Sequence, residues 1–326
     1  MEVVHWYSVV SVVIVVTAAF GSVYVLWRRK HYTQPEIGIK RRWLYDGLLL
    51  NNNPSSQHYW TSCWSGFHPA YLLVFRLLSL FSLAFFLAWD IHHWGPSIFI
   101  YYTEWTYSLT MMYFAIGSVI SAHGCWLLHK HNKNDSPCLE ESPGRGALDF
   151  EDIPTATTTL TLDSNHGKQH CYYPSQTPGF WGYFMQITYQ ISGGAVILTD
   201  IIFWCIIAPA SSNTRLGLTL LMGCIHTVNV AFLLLDTCIN RLTFPWFRLA
   251  YFVLWSSAYV IFQWLIHLCG FTWWPYPFLK LSTPLAPLWY LVLAVCHVVC
   301  YGLYALIVRG KDLLFSKLFP HSYIRS

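Results

Sequence analysis

Apolar residues along this chain fall into seven long runs, over about 7–27, 70–91, 98–122, 180–208, 216–237, 246–269 and 288–308, with polar stretches between them. A helix needs roughly 20 residues to cross a hydrocarbon core of about 30 Å. Backbone in lipid must also satisfy its own N–H and C=O groups, which leaves helices for runs of this length. The predicted fold is an all-α polytopic transmembrane bundle of seven spans, one N-terminal helix (1–27) followed by a six-helix core (70–309). No Lys or Arg precedes the first run to form a basic n-region, and Arg28, Arg29 and Lys30 follow it, so it reads as a true span in preference to a cleaved signal peptide.

Two polar segments break the helical pattern. Residues 28–69 carry basic clusters and NNNPSSQ, and read as a loop with an interfacial piece around GLLL. Residues 130–175 are rich in Pro, Ser and Thr and poor in large apolar groups, so disorder is predicted there. Residues 310–326 read as a short tail. The remaining connections are short, which predicts antiparallel neighbours in one bundle. The chain has no internal repeat visible in its sequence, which counts against a repeat-built transporter.

Composition agrees with a membrane chain: 55% of the 326 residues are hydrophobic and only 10% charged, against about 25% charged in soluble domains. With the N-terminus outside, sixteen Lys and Arg lie in inner segments and two (Arg215 and Lys280) in outer ones. This bias predicts a lumenal or extracellular N-terminus and a cytosolic C-terminus, in the endoplasmic reticulum or the plasma membrane. The net charge of +4 then reflects topology and points to no nucleic-acid partner. Most of the ten cysteines lie in or beside predicted helices without CxxC pairs, so neither a structural disulfide nor a zinc site is inferred, and no cofactor is implied.

Polar groups at membrane depth raise the question of chemistry, because each is costly unless it faces the protein interior. In IYYTEWTYSLTMMYF, Thr103, Thr106 and Thr110 fall within roughly 60° of one another on a helical wheel, and Tyr113 and Gly117 extend that face. The fifth span lines up His226, Asn229 and Asp236; the fourth Gln186, Gln190 and Asp200; the sixth Ser256, Tyr259, Gln263 and His267. His297 comes from the seventh, and Arg76 and Asp90 from the second. At about 1.5 Å per residue, His226, His297 and Thr106 lie at similar depth, while Asp236 falls in the inner half.

Such a set suits acyl transfer. A threonine hydroxyl becomes a nucleophile when a neutral imidazole takes its proton, a polar neighbour fixes the imidazole tautomer, and Asn229, Gln186, Gln190 or a tyrosine hydroxyl supplies oxyanion donors. The same residues fit two other uses. Threonines in membrane helices commonly bond back to their own carbonyls or join neighbouring helices. Paired histidines at equal depth can also hold a haem, although His123 finds no partner for a second one.

HTVNVAFLLLD followed by FPWF, then QWLIH and WWPYPFL, resembles the androgen-induced and androgen-dependent TFPI-regulating protein family over roughly residues 70–309. The YYTEWT segment is more similar to the plant and invertebrate, rolling-stone type branch. That resemblance implies a six-span hydrolase of lipid esters, of the kind acting on fatty acid esters of hydroxy fatty acids, with a threonine nucleophile and a histidine inside the membrane. By motif the histidine falls on His226, the acid on Asp236 and the nucleophile on Thr106, with Thr103 or Thr110 as the alternative equivalents. Asp236 is expected to act in structure or substrate positioning. A membrane lipid or lipid ester is the expected partner. The competing expectation is a non-enzymatic multi-pass scaffold or fusion-associated protein.

Overall fold

The computed structural model describes residues 5–32, 56–134, 179–207, 209 and 216–325. Seven helices are long and apolar enough to span a membrane: α1 (Trp6–Tyr32), α2 (Pro69–Trp94), α3 (Tyr102–Asn134), α4 (Phe180–Ile202), α5 (Leu216–Ile239), α6 (Leu249–Leu268) and α7 (Ala286–Leu318). The chain is an all-α polytopic membrane bundle. Its upper end carries residues 95–101 and 269–285, and its lower end 56–68, 240–245 and 319–325. The loop predicted over 130–175 starts later, since α3 runs on to Asn134; the GLLL piece and residues 135–178 lie outside the described residues.

Central position falls to α4, which packs against α3, α5, α6 and α7. Its QISGGA stretch explains why. A Cβ on Gly193 would sit 2.8 Å from the Tyr304 ring, and one on Gly194 would sit 2.7 Å from Phe252, so two aromatic side chains of neighbouring helices rest directly on the α4 backbone. Close approach through small residues is the usual means of helix association in lipid, where apolar faces gain little from meeting one another. The N-terminal α1 packs on α6 and α7, and Ser8 donates to the Leu281 carbonyl at 2.9 Å.

Both ends are tied by hydrogen bonds to the exposed ends of helices. At the upper end α2 stops at Gly95, whose φ of 73° only glycine adopts freely. The following 3₁₀ turn, Pro96–Ile100, is held by Tyr259 Oη and Gln263 Nε2, which both donate to the Ile100 carbonyl, at 2.8 and 2.7 Å. Tyr290 Oη likewise donates to Leu279 O at 2.9 Å.

At the lower end, α5 would leave its last carbonyls unpaired. Trp64 Nε1 takes Cys238 O (3.0 Å), the Cys63 amide and Ser62 Oγ take Ile239 O (both 2.9 Å), and Lys311 Nζ takes Asn240 O (3.0 Å). The ammonium of Lys311 also suits the negative end of the α5 dipole.

Two sequence expectations therefore change. Residues 56–68, assigned to a loop, are a packed plug beneath the bundle, and 310–326, assigned to a tail, begin as the last turns of α7 and fold back, with the Ile324 amide bonded to Cys63 O at 2.7 Å and Tyr323 Oη to Asp312. The reason is local to α5: its carbonyl end lies inside protein and has to be satisfied by chain from elsewhere.

Burial in this plug, with the Arg241 guanidinium nearby, lowers the His58 pKa to about 4 from 6.5. The unfolded chain then binds a proton at His58 that the folded chain refuses. Above pH 6.5 His58 has no effect on stability; as pH falls from 6.5 toward 4 it becomes progressively destabilising. A His58→Gln chain is expected to lose less thermal stability than wild type across that window, measured by melting in neutral detergent.

Candidate functional site

A cavity of about 900 Å³ lies at the upper end, walled by α2, α3, the residues that follow α4, α5 and the 275–289 segment. Its size is that of a small-molecule site. Most of its wall is aromatic or aliphatic, and the polar groups that reach it include His226, Thr103, Glu104, Asp90 and Tyr276.

His226 comes from α5 and is 6% exposed. Its Nδ1 lies 3.0 Å from Asp200 Oδ1, on the last turns of α4, which assigns the ring proton to Nδ1 and leaves the Nε2 lone pair as a base. The opposite restraint is Phe203, whose ring stacks on the imidazole at a centroid distance of 4.0 Å and an interplanar angle of 15°. Phe203 opens a π-helical turn, Phe203–Ile207. Insertions of this kind recur at functional sites because they re-aim side chains without ending the helix. Here the turn sends Phe203 and Ile207 to the cavity wall. Asp200, His226 and Phe203 thus form one oriented unit built by two helices.

The three threonines have separate fates. Thr103 lines the cavity and also an adjoining pocket of about 60 Å³. Thr106 is fully enclosed and lines no described pocket, and its Oγ1 lies beside the Tyr102 hydroxyl without a hydrogen bond of good geometry. Thr110, also fully buried, donates to the Thr106 carbonyl at 3.0 Å and so ties its own helix. Two other hydroxyls on the cavity wall are occupied: Ser97 donates to Trp94 O at 3.1 Å and Thr283 to Lys280 O at 2.9 Å. Thr103 instead sits beside the Tyr276 phenol, whose pKa burial raises to about 12 while the Thr103 hydroxyl and nearby backbone draw it down. Tyr276 is therefore a protonated donor at neutral pH.

Other residues singled out from the sequence go elsewhere. Gln186 donates to Thr243 Oγ1 (2.8 Å) and Gln190 to Thr243 O (2.6 Å), while Gln190 Oε1 accepts from Arg248 at 2.9 Å. They close the lower half of the bundle, so as oxyanion donors beside His226 both are corrected. Asn229 is buried one turn below His226, lines no described pocket, and its Oδ1 has no partner.

Asp236 is fully buried at the lower end. It pairs with Arg76 Nε at 3.3 Å, accepts from Asn240 Nδ2 at 2.7 Å, and accepts the Tyr113 hydroxyl. Arg76 in turn donates to Ser121 Oγ at 2.7 Å and Tyr59 O at 2.8 Å.

His297 faces the small pocket and a groove of about 410 Å³ between α1, α6 and α7. Its Nδ1 lies 2.6 Å from Leu293 O and its Nε2 has no partner. His226 and His297 therefore line different spaces, with Phe203 stacked on one and Phe252 packed 4.6 Å from the other, an arrangement that does not fit a haem held between them.

Glu104 was missed from the sequence, although it is the only acidic residue in the apolar run 98–122 and sits one position from the threonine stripe. Phe203 carried no sequence signal, since its role depends on a π turn.

Among the described residues no group of three or more His, Cys, Asp or Glu side chains could hold a metal ion. Comparison of the chain with protein-family models, with curated proteins and with solved structures gave no match.

Proposed function

We propose that the protein is an intramembrane hydrolase of lipid esters that works through a covalent acyl-threonine. The observation that carries this reading is the oriented Asp200–His226 pair on the wall of an apolar cavity that also presents the Thr103 hydroxyl. Thr103 takes the nucleophile's part in preference to Thr106, because Thr103 reaches the cavity and Thr106 does not.

The Thr103 hydroxyl attacks the ester carbonyl carbon, and its proton passes to His226 Nε2. Asp200 accepts the Nδ1–H bond and stabilises the imidazolium. Tyr276, on the same wall, donates to the developing oxyanion. Collapse of the tetrahedral intermediate expels the alcohol, which takes the proton from His226. Water, deprotonated in turn by His226, attacks the acyl-threonine, releases the carboxylic acid and restores the Thr103 hydroxyl. The apolar wall suits an acyl chain arriving sideways from the bilayer. The bias of Lys and Arg supports a lumenal or extracellular position for this cavity, with the endoplasmic reticulum or the plasma membrane as the proposed compartment.

Fluorophosphonate labelling of the detergent-solubilised protein tests the reading. Wild type is expected to be labelled covalently at Thr103, with labelling lost in His226→Ala. A folded wild type that takes no label would turn the reading to a non-enzymatic membrane scaffold, with the polar faces serving as helix contacts.

A further inference from the structure

The hydrolase reading leaves two carboxyl groups on the same cavity wall without a task. Glu104 is 6% exposed and lines the cavity, and its Oε2 has no hydrogen-bond partner; Asp90, also 6% exposed, lines the same wall, with His93 as its charged neighbour. Two carboxyls buried side by side at the edge of a membrane are costly unless a cation or a proton compensates them. Glu104 occupies the first turn of α3.

The rest of the wall specifies which cation. A metal cage is disfavoured, because among the described residues no third carboxyl, thiol or imidazole completes a metal-holding group here. The same cavity wall carries the rings of Trp94, Tyr101 and Trp289. Aromatic faces with a carboxylate are the recurrent receptor for substituted ammonium ions, whose charge is spread and weakly hydrated. Among the described residues two carboxyls and no Lys or Arg line the cavity, which favours a head group that carries a cation and no phosphate. The site also lies at interfacial depth, at the last turns of α2 and the first turn of α3, while the apolar part of the wall leads deeper.

We propose that this cavity binds a single-chain cationic amphiphile, with its substituted ammonium head between Glu104 and Asp90, ringed by Trp94, Tyr101 and Trp289, and its chain along the apolar wall. The proposal does not require turnover and stands apart from the hydrolase reading.

The test is equilibrium binding of radiolabelled dodecyltrimethylammonium to the full chain in neutral-lipid nanodiscs. Saturable binding is expected, weakened at least about tenfold in Glu104→Gln and lost in Glu104→Gln/Asp90→Asn. Excess dodecylphosphocholine is expected to compete poorly. Displacement by tetramethylammonium would assign recognition to the head alone; carboxylate-dependent binding that resists it would assign recognition to the whole amphiphile. A neutral analogue with carbon in place of the head nitrogen probes the charge in wild type alone, so the test survives a variant that fails to fold. Equal competition by that analogue, or unsaturable uptake identical in wild type and double variant, would overturn the proposal.

Discussion

Thr103→Val is expected to lower ester turnover by about 10⁴-fold or more, since a nucleophile removed from a site that acts as a unit takes nearly all of the covalent route with it. His226→Ala is expected to cost a similar factor, and the double variant little more than either single one. The loss should appear in kcat, with KM almost unchanged, because valine keeps the shape of threonine and the apolar wall that binds the chain is intact. Thr106→Val separates the two candidate hydroxyls. It replaces a buried hydroxyl that lies beside the Tyr102 phenol without a hydrogen bond of good geometry, so it is expected to leave turnover within a few-fold and to change stability by no more than about 1 kcal/mol. Steady-state kinetics on a fluorogenic long-chain ester, with melting of each variant alongside, checks all four chains. Turnover that survives Thr103→Val and vanishes in Thr106→Val would move the nucleophile one turn down the helix and require the cavity to open toward it.

The second large effect concerns folding. Asp236→Leu would leave the Arg76 guanidinium fully buried among groups that cannot neutralise it, and would deprive Tyr113 and Asn240 of their acceptor. Breaking a buried ion pair from one side costs about 3–5 kcal/mol, a large share of what holds a typical domain folded. The variant is therefore expected to be lost from the folded peak in fluorescence-detected gel filtration. Adding Arg76→Met should recover much of the loss, because two apolar side chains of similar volume remove the charge problem altogether. Equal losses in the single and double variants would mean that Tyr113 and Asn240 depend on Asp236 more than Arg76 does. The same experiment separates the two ends of α5, since Asp236 variants should change stability and His226 variants should change activity.

The polar faces of individual helices were legible because a helix repeats every 3.6 residues, and that period lies within one segment of chain. Their partners were less so. Gln186, Gln190 and Asp200 share one face of α4, yet Asp200 is ten residues from Gln190, about 15 Å along the axis, and the two ends meet different neighbours. Gln190 finds Arg248 and Asp200 finds His226. Thr103, Thr106 and Thr110 likewise share a stripe, but among them only Thr103 lines a described cavity. Depth along the axis, as much as position around it, separates a wall residue from a core residue.

By itself the sequence determined that this is a seven-helix membrane protein and that its helices turn polar faces inward, because run length and periodicity are properties of local chain in lipid. Tertiary structure decided which polar groups meet. The Asp200–His226 pair, the Phe203 stack built by a π turn, the 56–68 plug that caps α5, and the unpartnered Glu104 all depend on the relative height and rotation of helices distant in sequence. Those are set by glycine-mediated contacts around α4 and by the need to satisfy helix ends, and they are not encoded in any single segment.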